Sequence, residues 1–201
     1  MCFYSKQSKT AVELQHRFKA KFANASDYQA TTVNNGFLHP KTPVITNKDS
    51  ELIQLYNWGL IPHWAKDVTI RKNTLNARME TINQKPSFRD AAKNRCLVLV
   101  DGFYEWQWLD DKGKKKQKYL ITLPDDEAFA FGGIYNDWVD KSTGEVINTY
   151  TILTTDANYF MSIIHNSQKR MPLILNKDTE KDWLNGLAVE QRDIELIATP
   201  V

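Results

Sequence analysis

Arg95-Cys96-Leu97-Val98-Leu99-Val100-Asp101-Gly102-Phe103-Tyr104-Glu105-Trp106 is the stretch whose reading decides the fold. Residues 96–100 form a continuous apolar run, as a strand buried on both faces requires. An aromatic-rich segment over 103–109 follows, and Asp110-Asp111-Lys112-Gly113 reads as a turn. Further strands are predicted over 118–123 and 128–135. After a turn at 140–144, the β-branched run 146–153 reads as another strand, and 172–175 as a short one.

Helical signals flank this centre. Thr10-Ala11-Val12-Glu13 is a capping box, and Ala11, Leu14, Phe18 and Phe22 recur at helical spacing, which predicts a helix from Thr10 to about Ala23. Residues 34–47, with Pro40 and Pro43, read as loop with short extended pieces. Ser87 is expected to cap a short helix reaching Asn94. Asp156 is expected to cap one ending near Ile164, and Asp178 one that Asn185-Gly186 terminates. With no repeat and no linker-like break, the chain reads as one α+β domain over residues 1–201.

Composition narrows the function classes. The 201 residues are 42% hydrophobic and 11% aromatic, enough for a substantial core. Net charge is +2, from 26 Lys+Arg and 24 Asp+Glu, so a whole-surface nucleic-acid footprint is excluded. Five lysines between Lys112 and Lys118 read as a solvated hairpin tip. Two cysteines, Cys2 and Cys96, make neither a disulfide framework nor a four-ligand zinc site. No secretory signal and no apolar run approaching the ~18 residues of a bilayer span is present. The expectation is a soluble cytoplasmic protein without membrane contact.

Four segments combine reactive groups with unusual local sequence. Trp58-Gly59-Leu60-Ile61-Pro62-His63-Trp64 offers either a rigid aromatic platform for bases or ordinary core aromatics beside a turn. In Asn76-Ala77-Arg78-Met79-Glu80-Thr81, alternation puts Asn76 and Arg78 on one face, where they could present an amide and a guanidinium to a substrate. The alternative is a surface Arg78–Glu80 pair. Glu105 lies among three aromatics after a buried strand, where desolvation suits general acid/base work, unless the side chain points outward. His165 ends a predicted helix, as an acid/base group or as a simple C-terminal cap.

Cys2 follows the initiator directly. A small second residue favours removal of Met1, which would leave a thiol and a free α-amine on one residue. An α-amine titrates near ~7.7–8.0 and a thiol near ~8.5, so both have a nucleophilic fraction at neutral pH. Such an aminothiol condenses with aldehydes, first to a Schiff base and then to a thiazolidine.

Taken together, these residues resemble the SRAP family, the SOS response-associated peptidases or abasic-site processing proteins. The matching elements occur in the family's order: Cys2 after Met1, Trp58-Gly59-Leu60-Ile61-Pro62, Asn76-Ala77-Arg78-Met79-Glu80-Thr81, Arg95-Cys96-Leu97-Val98, Gly102-Phe103-Tyr104-Glu105-Trp106, Thr154-Thr155-Asp156-Ala157-Asn158, and Ile164-His165 with Arg170-Met171-Pro172. The resemblance implies a central barrel-like sheet flanked by short helices. It implies covalent capture of ring-opened abasic sites in single-stranded DNA, whose C1′ aldehyde is the electrophile an aminothiol needs. It also implies roles. Cys2 supplies amine and thiolate, and Glu105 moves protons. His165 acts as a second acid/base near the ring-opened sugar oxygen, and Asn76 orients the amine or the sugar. Arg78 and Arg170 would grip phosphates, while Trp58 and Trp106 would hold unstacked bases. No cofactor and no metal is implied, and a monomer is expected.

Two departures stand out. Phe3-Tyr4 replaces the family's usual Gly-Arg, which removes a phosphate contact and offers Tyr4 as a stacking ring. Asn166 to Lys169 lengthen the segment between the histidine and Arg-Met-Pro. Two other readings remain at this level. One is a thiol peptidase or self-processing enzyme with Cys2 as N-terminal nucleophile. The other is a scaffold without chemistry.

Overall fold

The computed structural model describes residues 2–191 and 194–201. Its elements in chain order are β1 (Tyr4–Gln7), α1 (Ala11–Phe18), β2 (Lys21–Phe22), β3 (Thr31–Asn35), β4 (Lys41–Thr46), β5 (Asp49–Trp58), β6 (Asn76–Arg78), β7 (Arg95–Val100), β8 (Gly102–Trp108), β9 (Lys116–Thr122), β10 (Phe129–Val139), β11 (Val146–Asp156), α2 (Tyr159–Ile164), β12 (Arg170–Pro172), β13 (Ile174–Leu175), α3 (Lys177–Leu184) and β14 (Ile197–Pro200). The class is α+β with strands dominating.

The apolar run 96–100 is the core of β7, which lies between β4 and β10. From there the antiparallel ladder runs on to β5 on one side and β11 on the other. β5 and β11 then pair in parallel at Asn57–Thr149 and Trp58–Tyr150, which closes a five-stranded barrel. A second sheet has the order β14-β9-β8-β1-β3. Strand alternation divides the barrel residues between two clusters. Cys96, Val98, Val100, Phe129, Phe131 and Tyr150 pack with Phe103 and Ile121 of the second sheet. Leu97, Leu99, Ala130 and Leu153 pack on the other side with Leu14 of α1 and Trp183 of α3. The Trp183 indole also donates to the Cys96 carbonyl at 3.0 Å, tying α3 to β7.

Several expectations are corrected. The capping box on Thr10 is present, but α1 stops at Phe18 because Lys19 turns left-handed at φ 53°. Residues 21–22 then form β2 beside β5, so Phe22 is buried by a strand pairing and not by the helix. Most of 34–47 is strand. Pro43 is accommodated in β4 because the β4–β7 ladder begins at Val44, where no Pro43 N–H is required. Residues 87–94 hold only a single 3-10 turn, and no Ser87 cap forms. Asp156 ends β11, and Asn158 caps α2 through its side chain. Asn176 caps α3, which places Asp178 in the first turn. Residues 172–175 split into β12 and β13.

Gly59 leaves β5 at φ +117°, and a β-carbon there would sit 2.8 Å from His39 Nδ1. The His39 ring in turn contacts the Trp58 carbonyl at 2.8 Å. Gly59→Ala is therefore expected to destabilise the fold by more than about 1 kcal/mol. Urea unfolding checks this, and an unchanged midpoint would count against the strain argument.

Candidate active site around Cys2

Long-range strand pairing, and the packing of α2 on β8, bring four sequence-distant residues together. Cys2 precedes β1, and β1 pairs with β8 through Ser5–Phe103 and Lys6–Gly102. Glu105 lies on the same face of β8 as the core residue Phe103, facing inward and only 3% exposed. The outward-pointing alternative for Glu105 is thereby excluded. Asn76 opens β6, a strand that runs parallel to β11 at Asn76–Ile152. His165 caps the C-terminus of α2 and is buried.

The contacts form a chain around the cysteine. Asn76 Nδ2 donates to the Cys2 carbonyl at 2.8 Å. The buried Asn76 Oδ1 has no hydrogen-bond partner among the described residues. The Cys2 thiol is completely buried and lies 3.6 Å from the Tyr4 carbonyl. Burial, and then the charge of the nearby Glu105 carboxylate, push this thiol far above its ordinary range. His165 Nε2 stands 3.9 Å from Glu105 Oε2. His165 Nδ1 lies 2.7 Å from the Arg170 carbonyl. One buried thiol, an amide that fixes its backbone and a carboxylate–imidazole pair thus converge in a poorly solvated space. Such a set can deliver and accept protons beside a nucleophile. Removal of Met1 concerns a residue outside the described ones.

Trp58 is not a platform for bases. It is fully buried, its indole donates to the Leu75 carbonyl at 2.8 Å, and it stacks on Tyr150 with centroids 6.3 Å apart. Arg170 is not an open phosphate grip either. Its side chain is 7% exposed and is held by Glu80 and Asp156. Glu80 accordingly pairs with Arg170, and not with Arg78 as a surface pair would require. Arg78 is exposed at the end of β6. Trp106 is half-buried, with its ring 5.2 Å from that of Tyr4 and Lys118 above it. The lysine-rich tip joins β8 to β9, and the Asp110 carboxylate accepts the backbone N–H groups of Lys112, Lys114 and Lys115.

Two features near the site have weak sequence signals. Glu80 becomes significant only through a partner 90 residues away. Phe37 and Leu38 are 50% and 78% exposed, and the Phe37 ring lies 4.9 Å from Phe3. Two adjacent apolar residues following Asn-Asn-Gly read as loop filler until their exposure beside the cysteine strand is seen.

The fold is thus a closed barrel with a second sheet against it, and cysteine, asparagine, glutamate and histidine are gathered at one place. A model of the SOS response associated peptidase (SRAP) family matches residues 1–201, and the chain belongs to that family. Among its relatives is the abasic site processing protein YoaM of Bacillus subtilis (strain 168), 43% identical over 143 residues, which is 71% of this chain and 60% of that protein. The abasic site processing protein HMCES of Gallus gallus is 34% identical over 167 residues, covering 71% of this chain and 48% of that one. The match thus spans about three fifths of the bacterial relative's length. A crystal structure of a protein from Bacteroides thetaiotaomicron superposes with a TM-score of 0.89 at 34% identity, covering 100% of this chain and 92% of that one. Among the described residues, no helix is long and apolar enough to cross a membrane.

Proposed function

We propose that this protein captures abasic sites in single-stranded DNA covalently through Cys2, as part of a DNA-damage response. Its relatives carry the name abasic site processing protein. The observation that carries the reading here is the convergence of Asn76, Glu105 and His165 on a buried Cys2.

The reaction runs in two condensations once Met1 has been removed. The Cys2 α-amine adds to the C1′ aldehyde of the ring-opened sugar, and the carbinolamine loses water to give a Schiff base. The sulfur then adds to the C=N carbon. The thiol proton ends on the nitrogen, and the thiazolidine closes. Glu105 serves as the local proton carrier for ring opening and for both additions, since it neighbours the thiol. His165 assists from the far side of Glu105 and serves again when the adduct reverses. Asn76 holds the Cys2 carbonyl, which fixes where the amine points. Arg78 meets a flanking phosphate. Trp106 and the Phe37–Leu38 loop meet the bases exposed when the strand bends to reach a buried sulfur.

The thiol's environment favours this order over a thiol peptidase. A cysteine that attacks an amide needs a thiolate, and reactive cysteines have lowered thiol pKa values. Here burial and the adjacent carboxylate act in the opposite direction. The proposed order therefore has the α-amine add first and the sulfur close the ring.

The test is a denaturing gel of protein with single-stranded DNA carrying one abasic site, beside intact DNA and a Cys2→Ala variant. A heat-stable band that needs both the abasic site and Cys2 is the expected result. Absence of that band, from protein whose intact mass shows loss of Met1, would overturn the reading.

A further inference from the structure

The loop from His165 to Arg170 is pinned along its length. Lys169 turns left-handed at φ 50°, and its N–H donates to the His165 carbonyl at 2.8 Å. The Asn166 side chain bridges the Trp108 backbone, accepting its N–H at 3.0 Å and donating to its carbonyl at 2.9 Å. The loop therefore folds back on itself, and the Arg170 carbonyl returns to His165 Nδ1.

Arg170 is anchored beyond this. Its Nη1 donates to Glu80 Oε1 and to Asp156 Oδ1, each at 2.6 Å. Its Nη2 donates to Glu80 Oε2 at 3.0 Å and to the Thr154 carbonyl at 2.7 Å. The bidentate Glu80 contact joins the segment that follows β6, which carries Asn76, to β12. The hydrogen bonds from Arg170 hold the Glu80 carboxyl below its usual range.

A carbonyl oxygen only accepts hydrogen bonds, so an imidazole nitrogen 2.7 Å from one must carry a proton. The Arg170 N–H also lies 3.4 Å from Nδ1, but that long contact cannot offset the repulsion of two lone pairs at the shorter distance. The proton of neutral His165 is thus on Nδ1. Nε2, which faces Glu105 at 3.9 Å, is left as the nitrogen that accepts and returns protons.

We propose that Arg170 is a positioning residue for His165: clamped by Glu80 and Asp156, it holds its own carbonyl where it fixes the Nδ1–H tautomer and turns Nε2 toward Glu105. Its effect on capture rests on the function proposed above, whereas the tautomer does not. A role as a phosphate ligand would require the terminal nitrogens to leave the Glu80 and Asp156 carboxylates or the Thr154 carbonyl, which accept from them here.

The test compares wild type, Glu80→Gln and Arg170→Lys in two measurements. The first is nitrogen-15 NMR of the free protein labelled at histidine, at a pH where His165 is neutral. Wild type is expected to show protonated Nδ1 and bare Nε2, and both variants a mixture of tautomers. Bare Nδ1 in wild type would overturn the proposal without any variant having to fold. The second separates affinity for intact single-stranded DNA from the capture rate at saturating abasic DNA. The rate is expected to fall roughly tenfold or more, the scale on which supporting hydrogen-bond partners act. Affinity should stay within about twofold, with an unchanged salt slope. An unchanged tautomer and rate with a weakened, less salt-sensitive affinity would make Arg170 a phosphate ligand instead. If wild type forms no adduct while the tautomer still follows Arg170, the capture reading fails and the positioning role stands.

Discussion

Glu105→Gln is expected to slow adduct formation by about 10²- to 10⁴-fold, the range for removal of a positioned acid/base group. Glutamine keeps the size and one hydrogen-bonding oxygen of glutamate, so β8 and its pairing should survive. What it removes is the carboxylate that the proposed mechanism uses as proton carrier, 3.9 Å from His165 Nε2 and close enough to Cys2 for its charge to act on the thiol. Affinity for intact single-stranded DNA should not change, because Glu105 is only 3% exposed. A quenched single-turnover time course on denaturing gels checks the rate, and a change of less than about threefold would remove Glu105 from the chemistry. The variant also separates two causes. After burial, the Glu105 charge is the next influence raising the Cys2 thiol. Without that charge the thiol's pKa should fall, and the thiolate fraction at a given pH should rise. A slower reaction despite an easier thiolate would identify proton transfer, and not sulfur ionisation, as the step Glu105 serves.

Trp58→Ala is expected to cost roughly 3–5 kcal/mol of stability, as for other buried aromatics truncated to alanine. The indole is fully buried, packs on Tyr150 and donates to the Leu75 carbonyl. Leu75 immediately precedes Asn76, so the same change should loosen the strand that holds the Cys2 carbonyl. Capture should weaken together with stability. Trp58→Phe, which keeps most of the ring volume but loses the donor, should fall between. Urea midpoints for the three proteins decide the matter. A base-stacking role would give the opposite pattern, with normal stability and lost affinity for DNA.

Where neighbours in sequence are also neighbours in space, the chain was readable. The 96–100 run, the two lysine- and glycine-containing turns and the Thr10 capping box are local signals, and each appears in the structure. The early strands were less legible because their pattern is inverted. β1 is Tyr-Ser-Lys-Gln, and its inward residues are the polar Ser5 and Gln7, 1% and 3% exposed. Gln7 is tolerated there because its amide donates to the Leu99 carbonyl, a partner 92 residues away. No periodicity rule that equates inside with apolar recovers such a strand.

By itself the sequence determined the strand-rich class, the family motifs, and the identities of Cys2, Asn76, Glu105 and His165 as the groups to watch. The class and the motifs follow from residue type and short spacing, and the resemblance to the family singled out the four residues together. The tertiary structure alone decided which side chains face inward and which charges meet. It closed the barrel through the parallel β5–β11 contact, buried Trp58, and set Arg170 against Glu80 and Asp156. The reason is physical. Turn and cap propensities are set over a few residues, whereas burial and ion pairing depend on contacts that the chain makes only after distant strands have joined.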